Sequence, residues 1–146
     1  MTRSRGKHAA PSLEFLLARA NRQVSQRLES ILQSEGLTIE QFRVLDLLAE
    51  GEGYATGEVA QAVMLSLPSA TRVLDKMVNG ALIYRAPDAR DRRKVLIFVS
   101  DRGLQVLDQL RANVRLHERE IAELFGGRET ERLVSMLERL VTRISV

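Results

Sequence analysis

Hydrophobic positions recur every three or four residues through most of the chain and change rhythm only once. Leu13, Leu16, Leu17, Ala20, Val24, Leu28, Ile31 and Leu32 form a helical stripe, with Arg19, Arg22, Gln23, Gln26, Arg27 and Glu29 on the other faces. Ser12 is placed to cap this first helix and Gly36 to stop it. Thr38-Ile39-Glu40-Gln41 has capping-box form and predicts the start of a second helix, with Gln41 reaching back to the cap. Its stripe is Ile39, Phe42, Leu45 and Leu48, widened by Val44 and Leu47, and Gly51 and Gly53 end it. Tyr54-Ala55 is too short for a strand but suits a single sheet bridge.

A third helix is predicted over residues 57–64, capped by Thr56, with Val59, Ala60 and Val63 facing inward. Leu65-Ser66-Leu67 reads as a turn. Pro68 then sits in the first turn of a fourth helix, where its missing N–H leaves no bond unmade. Val73, Leu74, Met77 and Val78 face the core of that helix. Two short helices, a tight turn and a small Ala60 near the crossing match a helix-turn-helix. After Gly80 the period falls to two. Residues 82–86 and 94–99 read as strands, with Val95, Ile97 and Val99 on one face. The seven-residue connection between them is longer than a tight hairpin turn and projects as a flap, or wing. Ser100-Asp101 open a fifth helix faced by Leu104, Leu107, Leu110, Val114, Ile121, Leu124 and Phe125. Gly126-Gly127 break it. Leu133, Met136, Leu137, Leu140, Val141 and Ile144 mark a sixth.

These elements predict a mainly α fold with a small antiparallel β wing. Residues 37–100 form a winged helix-turn-helix. The helices within residues 12–36 and 101–146 carry more apolar surface than so small a module can cover. That predicts a dimerisation region in which helices of two chains interleave, the alternative being a helical cap folded within one chain. Residues 1–11, with Arg3, Arg5 and Lys7, read either as a flexible basic arm or as an inert tail.

Composition narrows the chemistry. The 146 residues are 45% hydrophobic, enough for a real core. The net charge of +3 points only weakly to a polyanion. Its placement says more: between Arg85 and Lys94 stand five basic residues and two acidic ones. The absence of cysteine excludes disulfides, thiolate metal sites and thiol redox sensing. No apolar run approaches the ~18 residues of a membrane span, and residues 1–11 are not followed by a signal-peptide core. A cytoplasmic protein without a membrane partner is expected. His117, beside Glu118 and Glu120, reads as a surface residue rather than a metal ligand, and no metal or other cofactor is expected. No serine, histidine and acid set and no glycine-rich phosphate loop is visible, so the chain is not expected to be an enzyme.

A helix bearing small hydroxyls and cations, followed by an arginine-rich hairpin tip, suits double-stranded DNA. The helix fits the major groove and the tip reaches phosphates and the minor groove. On the fourth helix Pro68, Ser69, Thr71, Arg72 and Lys76 lie off the core stripe. Ser69 and Thr71 can donate or accept at base edges or phosphates. Arg72 is the candidate for a bidentate guanine contact, against a salt bridge to Asp75 or Glu58. Thr56 and Ser66 cap their helices and can also touch phosphate. At the tip, Arg90, Arg92 and Lys94 are phosphate candidates. The bland alternative is a solvated charge run, but exposed pairs contribute only about 0–1 kcal/mol, a poor reason for five consecutive charges, Arg90 to Lys94.

Leu37-Thr38-Ile39-Glu40-Gln41-Phe42-Arg43-Val44-Leu45, followed by Glu58-Val59-Ala60, resembles the second and third helices of the multiple-antibiotic-resistance regulator (MarR) family. Residues 65–76 resemble that family's recognition helix. Asp88-Ala89-Arg90-Asp91-Arg92-Arg93-Lys94-Val95, then Val99-Ser100-Asp101-Arg102-Gly103, is similar to its wing and the start of its fifth helix. Val99-Ser100 stands where the family usually has Leu-Thr. The resemblance implies a homodimeric, sequence-specific DNA-binding transcriptional regulator, a repressor released by a small aromatic or anionic effector, on a pseudo-palindromic operator. It also implies that Arg93 enters the minor groove and that Asp91 orients its guanidinium, which agrees with the negative potential of a narrow groove. The effector is expected where the first, second and fifth helices meet, near Leu16, Ala20, Val24, Phe42, Leu45 and Leu107, although core packing suits each of these better; Arg43 and Arg22 read either as receivers of an anionic ligand or as surface residues. The alternative function is a winged-helix interaction or assembly module without specific DNA binding.

Overall fold

The computed structural model describes residues 10–144. Six helices and one hairpin follow the predicted order: α1 Leu13–Leu32, α2 Ile39–Leu48, α3 Thr56–Ala62, α4 Leu67–Asn79, β1 Ile83–Pro87, β2 Val95–Val99, α5 Asp101–Glu123 and α6 Gly127–Ile144. The helix starts are set by local chemistry. Ser12, Thr38, Ser66 and Ser100 each accept a hydrogen bond from the backbone N–H three residues on. At Thr38 the box is complete, because Gln41 Oε1 accepts from the Thr38 N–H at 3.1 Å. After α1 a single 3-10 turn, Gln33–Glu35, ends at Gly36, whose φ of 68° lies in the left-handed region that glycine adopts without strain.

Several boundaries differ from expectation by one or two residues, and those around the helix-turn-helix bear on the site. Helix α3 begins at Thr56 itself, so Ala55 occupies the cap position, and Glu58 accepts from the Ala55 N–H at 3.0 Å in place of a capping hydroxyl. Helix α3 ends at Ala62 and α4 begins at Leu67, one residue before Pro68, so the interhelical turn is residues 63–66 rather than 65–67 and Leu67 belongs to the helix. Within that turn Met64 holds a φ of 58°, which is costly for a residue with a Cβ.

The core lies between α2, α4, the hairpin and α5. Leu32, Leu45, Leu48, Leu74, Met77, Ile83, Ile97, Leu107 and Leu110 are sealed within it, and burial of such a side chain contributes about 1.5–3 kcal/mol. Strands β1 and β2 pair antiparallel, with Ile83 opposite Val99 and Pro87 opposite Val95. The Tyr54 bridge is present: Ile97 exchanges hydrogen bonds with Tyr54 at 3.2 and 2.8 Å, on the edge of β2 away from β1. Alternation along β2 buries Ile97 but leaves Val95 exposed near the wing tip.

Ser100 fastens α5 to the hairpin. Its N–H donates to the Leu82 carbonyl at 3.0 Å. Its hydroxyl donates to the Ala81 carbonyl at 2.6 Å and accepts from the Gly103 N–H at 3.0 Å. Gly103 is pressed so close to the Leu82 carbonyl that no Cβ fits there. The other end of the molecule is built differently. Helix α6 has a strong apolar stripe and buries none of it. Leu133, Val134, Met136, Leu137, Val141 and Ile144 remain exposed, as do Leu13, Phe15, Leu16 and Leu17 of α1. Together α1, α5 and α6 bound an apolar groove of about 990 Å³.

Candidate nucleic-acid interface

Helix α4 packs against α2, α3 and β1 and turns its other face to solvent. That face carries Pro68, Thr71, Arg72 and Lys76, all exposed, with Ser69 half-buried on its flank. The hydroxyls are not equivalent. Ser66 Oγ donates to Ser69 Oγ at 2.9 Å while it accepts the Ser69 N–H, so it acts as a cap. Ser69 Oγ therefore retains its proton for an outside acceptor. Thr71 Oγ1 instead donates to the Leu67 carbonyl at 3.0 Å. Its proton is committed to the helix, and what it offers outward is a lone pair and a methyl group.

Arg72 forms neither of the salt bridges weighed for it. Asp75 pairs with Arg85 of β1 at 2.6 Å, and Glu58 is engaged at the start of α3. The Asp75–Arg85 pair ties α4 to the base of the wing. Arg85, counted above with the wing's charges, is thus occupied. Arg72, Lys76, Arg90, Arg92, Arg93 and Lys94 have no acidic partner among the described residues.

At the wing tip the two aspartates serve the backbone. Asp88 Oδ1 accepts from the Arg90 N–H at 3.0 Å and Asp91 Oδ1 from the Arg93 N–H at 3.1 Å. Each is a turn in which an aspartate binds the chain two residues on. Backbone bonds from Asp88 N–H to the Lys94 carbonyl at 2.8 Å and from Lys94 N–H to the Asp91 carbonyl at 3.0 Å close the loop. Asp91 contacts the amide of Arg93, not its guanidinium as the resemblance implied. The sequence signal for this role was the Asp-x-Arg spacing at both aspartates, a local turn motif.

The residues expected around an effector are not gathered into one cavity. Leu45 and Leu107 are fully buried in the core. Phe42 packs half-buried at its margin and Arg43 is half-buried on α2. Ala20 and Val24 line the apolar groove with Ile121, Leu124, Leu133 and Leu137, and Leu16 is exposed further along α1. A separate cleft of about 360 Å³ runs between the C-terminal halves of α1 and α5, lined by Arg27, Asn113, Leu116, His117 and Glu120 among others. Arg27 and Glu120 pair across it at 2.8 Å. His117 corrects the surface reading: it is 4% exposed, and its Nε2 is sealed from solvent with no hydrogen-bond partner among the described residues. The missed signal was its spacing from Leu110, Val114 and Ile121, which places it on the apolar side of α5 despite flanking carboxylates.

Among the described residues no helix is long and apolar enough to cross a membrane. The MarR family model matches residues 35–94, which runs from the start of α2 to the end of the wing tip. The chain is 24% identical over 130 residues to the homoprotocatechuate degradative operon repressor of Escherichia coli, covering 89% of this chain and 88% of that protein. It is 24% identical over 128 residues to the transcriptional regulator MhqR of Bacillus subtilis, covering 88% of each. Its structure is similar to that of the transcriptional repressor CouR bound to a 23-mer DNA duplex, with a TM-score of 0.82, 28% identity, and coverage of 89% of this chain and 92% of that one. In sequence and structure the chain is thus similar to winged-helix, DNA-binding transcriptional regulators of the MarR family.

Proposed function

We propose that this regulator acts in the cytoplasm as a homodimeric repressor that binds a pseudo-palindromic operator and is released by a small aromatic anion. The observation that carries the DNA-binding part is the wing tip. Both of its aspartates are consumed in shaping the backbone, which leaves Arg90, Arg92 and Arg93 free of acidic partners beside the exposed face of α4. A loop built only for its own stability would pair those charges. Arg93 is assigned to the minor groove, Arg72 to a guanine edge or phosphate, and Ser69, Lys76, Arg90, Arg92 and Lys94 to the DNA backbone, while Ser66 serves as the cap of α4.

The unburied stripe of α6 and the exposed apolar residues of α1 support the dimer, because a lone chain would leave that surface in water. Two copies then present their α4 helices to successive major grooves, about 34–36 Å apart. The effector class is supported by a relative named as repressor of a homoprotocatechuate degradative operon, a pathway for an aromatic acid.

Selection of bound duplexes from a random library tests the reading. The expected product is an inverted repeat with half-site centres separated by about one helical turn. Absence of any enriched site, with no salt-dependent retention on duplex DNA, would instead support an interaction module. Fluorescence anisotropy on the selected duplex then screens aromatic carboxylates for release.

A further inference from the structure

Leu67 stands in the first turn of α4 with 56% of its surface exposed. It lies on the flank of the solvent-facing side next to Thr71, one turn further on, and Thr71 hands its hydroxyl proton to the Leu67 carbonyl at 3.0 Å. The two residues therefore present a continuous apolar strip, a leucine side chain followed by a threonine methyl, beside the cations Arg72 and Lys76. Such a strip on the leading turns of a groove-reading helix has a defined complement. In the major groove the apolar group on a base edge is the 5-methyl of thymine.

We propose that Leu67 and the Thr71 methyl read thymine 5-methyl groups, so that each operator half-site carries a thymine opposite the first turns of α4. The proposal rests on the DNA-binding reading above and adds the chemistry by which one part of the site is recognised. Leu67 contributes specificity and Arg72 a polar contact from the neighbouring strip, and the two kinds of contact respond to different changes in the base. Thr71 does not act as a hydrogen-bond donor to a base.

Deoxyuridine provides the test, since it keeps every hydrogen-bonding group of thymidine and lacks only the methyl. The duplex selected by the wild-type protein from a random library is resynthesised with dU replacing dT at one symmetric pair of positions at a time. At the positions read by α4, wild-type affinity falls about fourfold per half-site, the effect of leaving one methyl unburied. Leu67→Ala binds the thymidine duplex more weakly and shows a reduced dU penalty. Thr71→Val, which keeps the methyl, retains the penalty, whereas Thr71→Ser, which keeps the hydroxyl, diminishes it. Unfolding midpoints of the variants, read by circular dichroism, verify that the fold is intact. A selected duplex that tolerates dU everywhere overturns this proposal alone, as does a penalty of unchanged size in both Leu67→Ala and Thr71→Ser. A library with no enriched site overturns the operator reading and this proposal with it.

Discussion

The role of Asp91 separates two mechanisms that predict opposite outcomes for a single substitution. The structure has its carboxylate accepting the Arg93 N–H at 3.1 Å, a task that the side-chain oxygen of asparagine performs equally well. Asp91→Asn therefore keeps the turn and removes one negative charge per chain from a tip proposed to approach phosphates. At about 8 Å through water, a charge–phosphate pair is worth about 0.5 kcal/mol, and roughly half that after screening at 0.1 M salt. With two phosphates near each wing, the relief is about 0.5 kcal/mol per chain and about 1 kcal/mol per dimer, close to fivefold tighter binding. Asp91→Ala gains the same relief but loses the turn's hydrogen bond, about 1 kcal/mol per chain. The alanine variant is thus expected to bind about thirtyfold more weakly than the asparagine variant and several-fold more weakly than wild type. Fluorescence anisotropy on the selected operator at 0.1 M salt measures all three. If Asn and Ala weaken binding alike, the charge of Asp91 on the guanidinium is what counts, and the backbone role is refuted.

Three further outcomes are expected. Arg93→Ala removes one phosphate-competent cation per chain, so the slope of log affinity against log salt becomes shallower by about 1.8 per dimer, and an unchanged slope would remove Arg93 from the interface. Gly103→Ala places a methyl against the Leu82 carbonyl oxygen, 2.9 Å from Val99 Cγ2 and 3.2 Å from Leu45 Cδ2; urea unfolding should show a loss of about 1–3 kcal/mol, since a backbone oxygen cannot turn aside as a side chain can. Leu133→Glu on the apolar groove should convert the dimer to monomer by light scattering, and a dimer that persists would place the interface elsewhere.

Features encoded within a few neighbouring residues were legible in the sequence. Ser12, Thr38, Ser66 and Ser100 cap their helices because a cap needs only a side-chain oxygen and an amide three residues on. The change of period after Gly80 announced the hairpin, whereas the short pair Tyr54-Ala55 was compatible with the bridge without fixing it. What the sequence hid depended on rotamers or on distant packing. Thr71 could point its hydroxyl to the groove or back to its own helix, and only three-dimensional structure separates the two. Leu16 and Ala20 carry the same helical stripe as Leu28 and Leu32, yet the first pair lies exposed and the second lies in or against the core, because α1 runs beyond the module it packs on. His117 was obscured by its neighbours Glu118 and Glu120, although its period matched the buried face.

The triple anchorage of Ser100 has a mechanical consequence. With its N–H, its hydroxyl proton and its oxygen lone pair all engaged, the start of α5 cannot pivot on the hairpin, so helix and wing turn as one lever. Its 23 residues give an arm of about 35 Å. Rotation by about 5° at the far end, where the groove lies, sweeps the wing through about 3 Å, the length of a hydrogen bond. Under the proposed function, a signal arriving at the dimer helices would reach DNA as a change of angle, with secondary structure intact. Distance measurements between the two wing tips would register it, whereas circular dichroism would be blind to it.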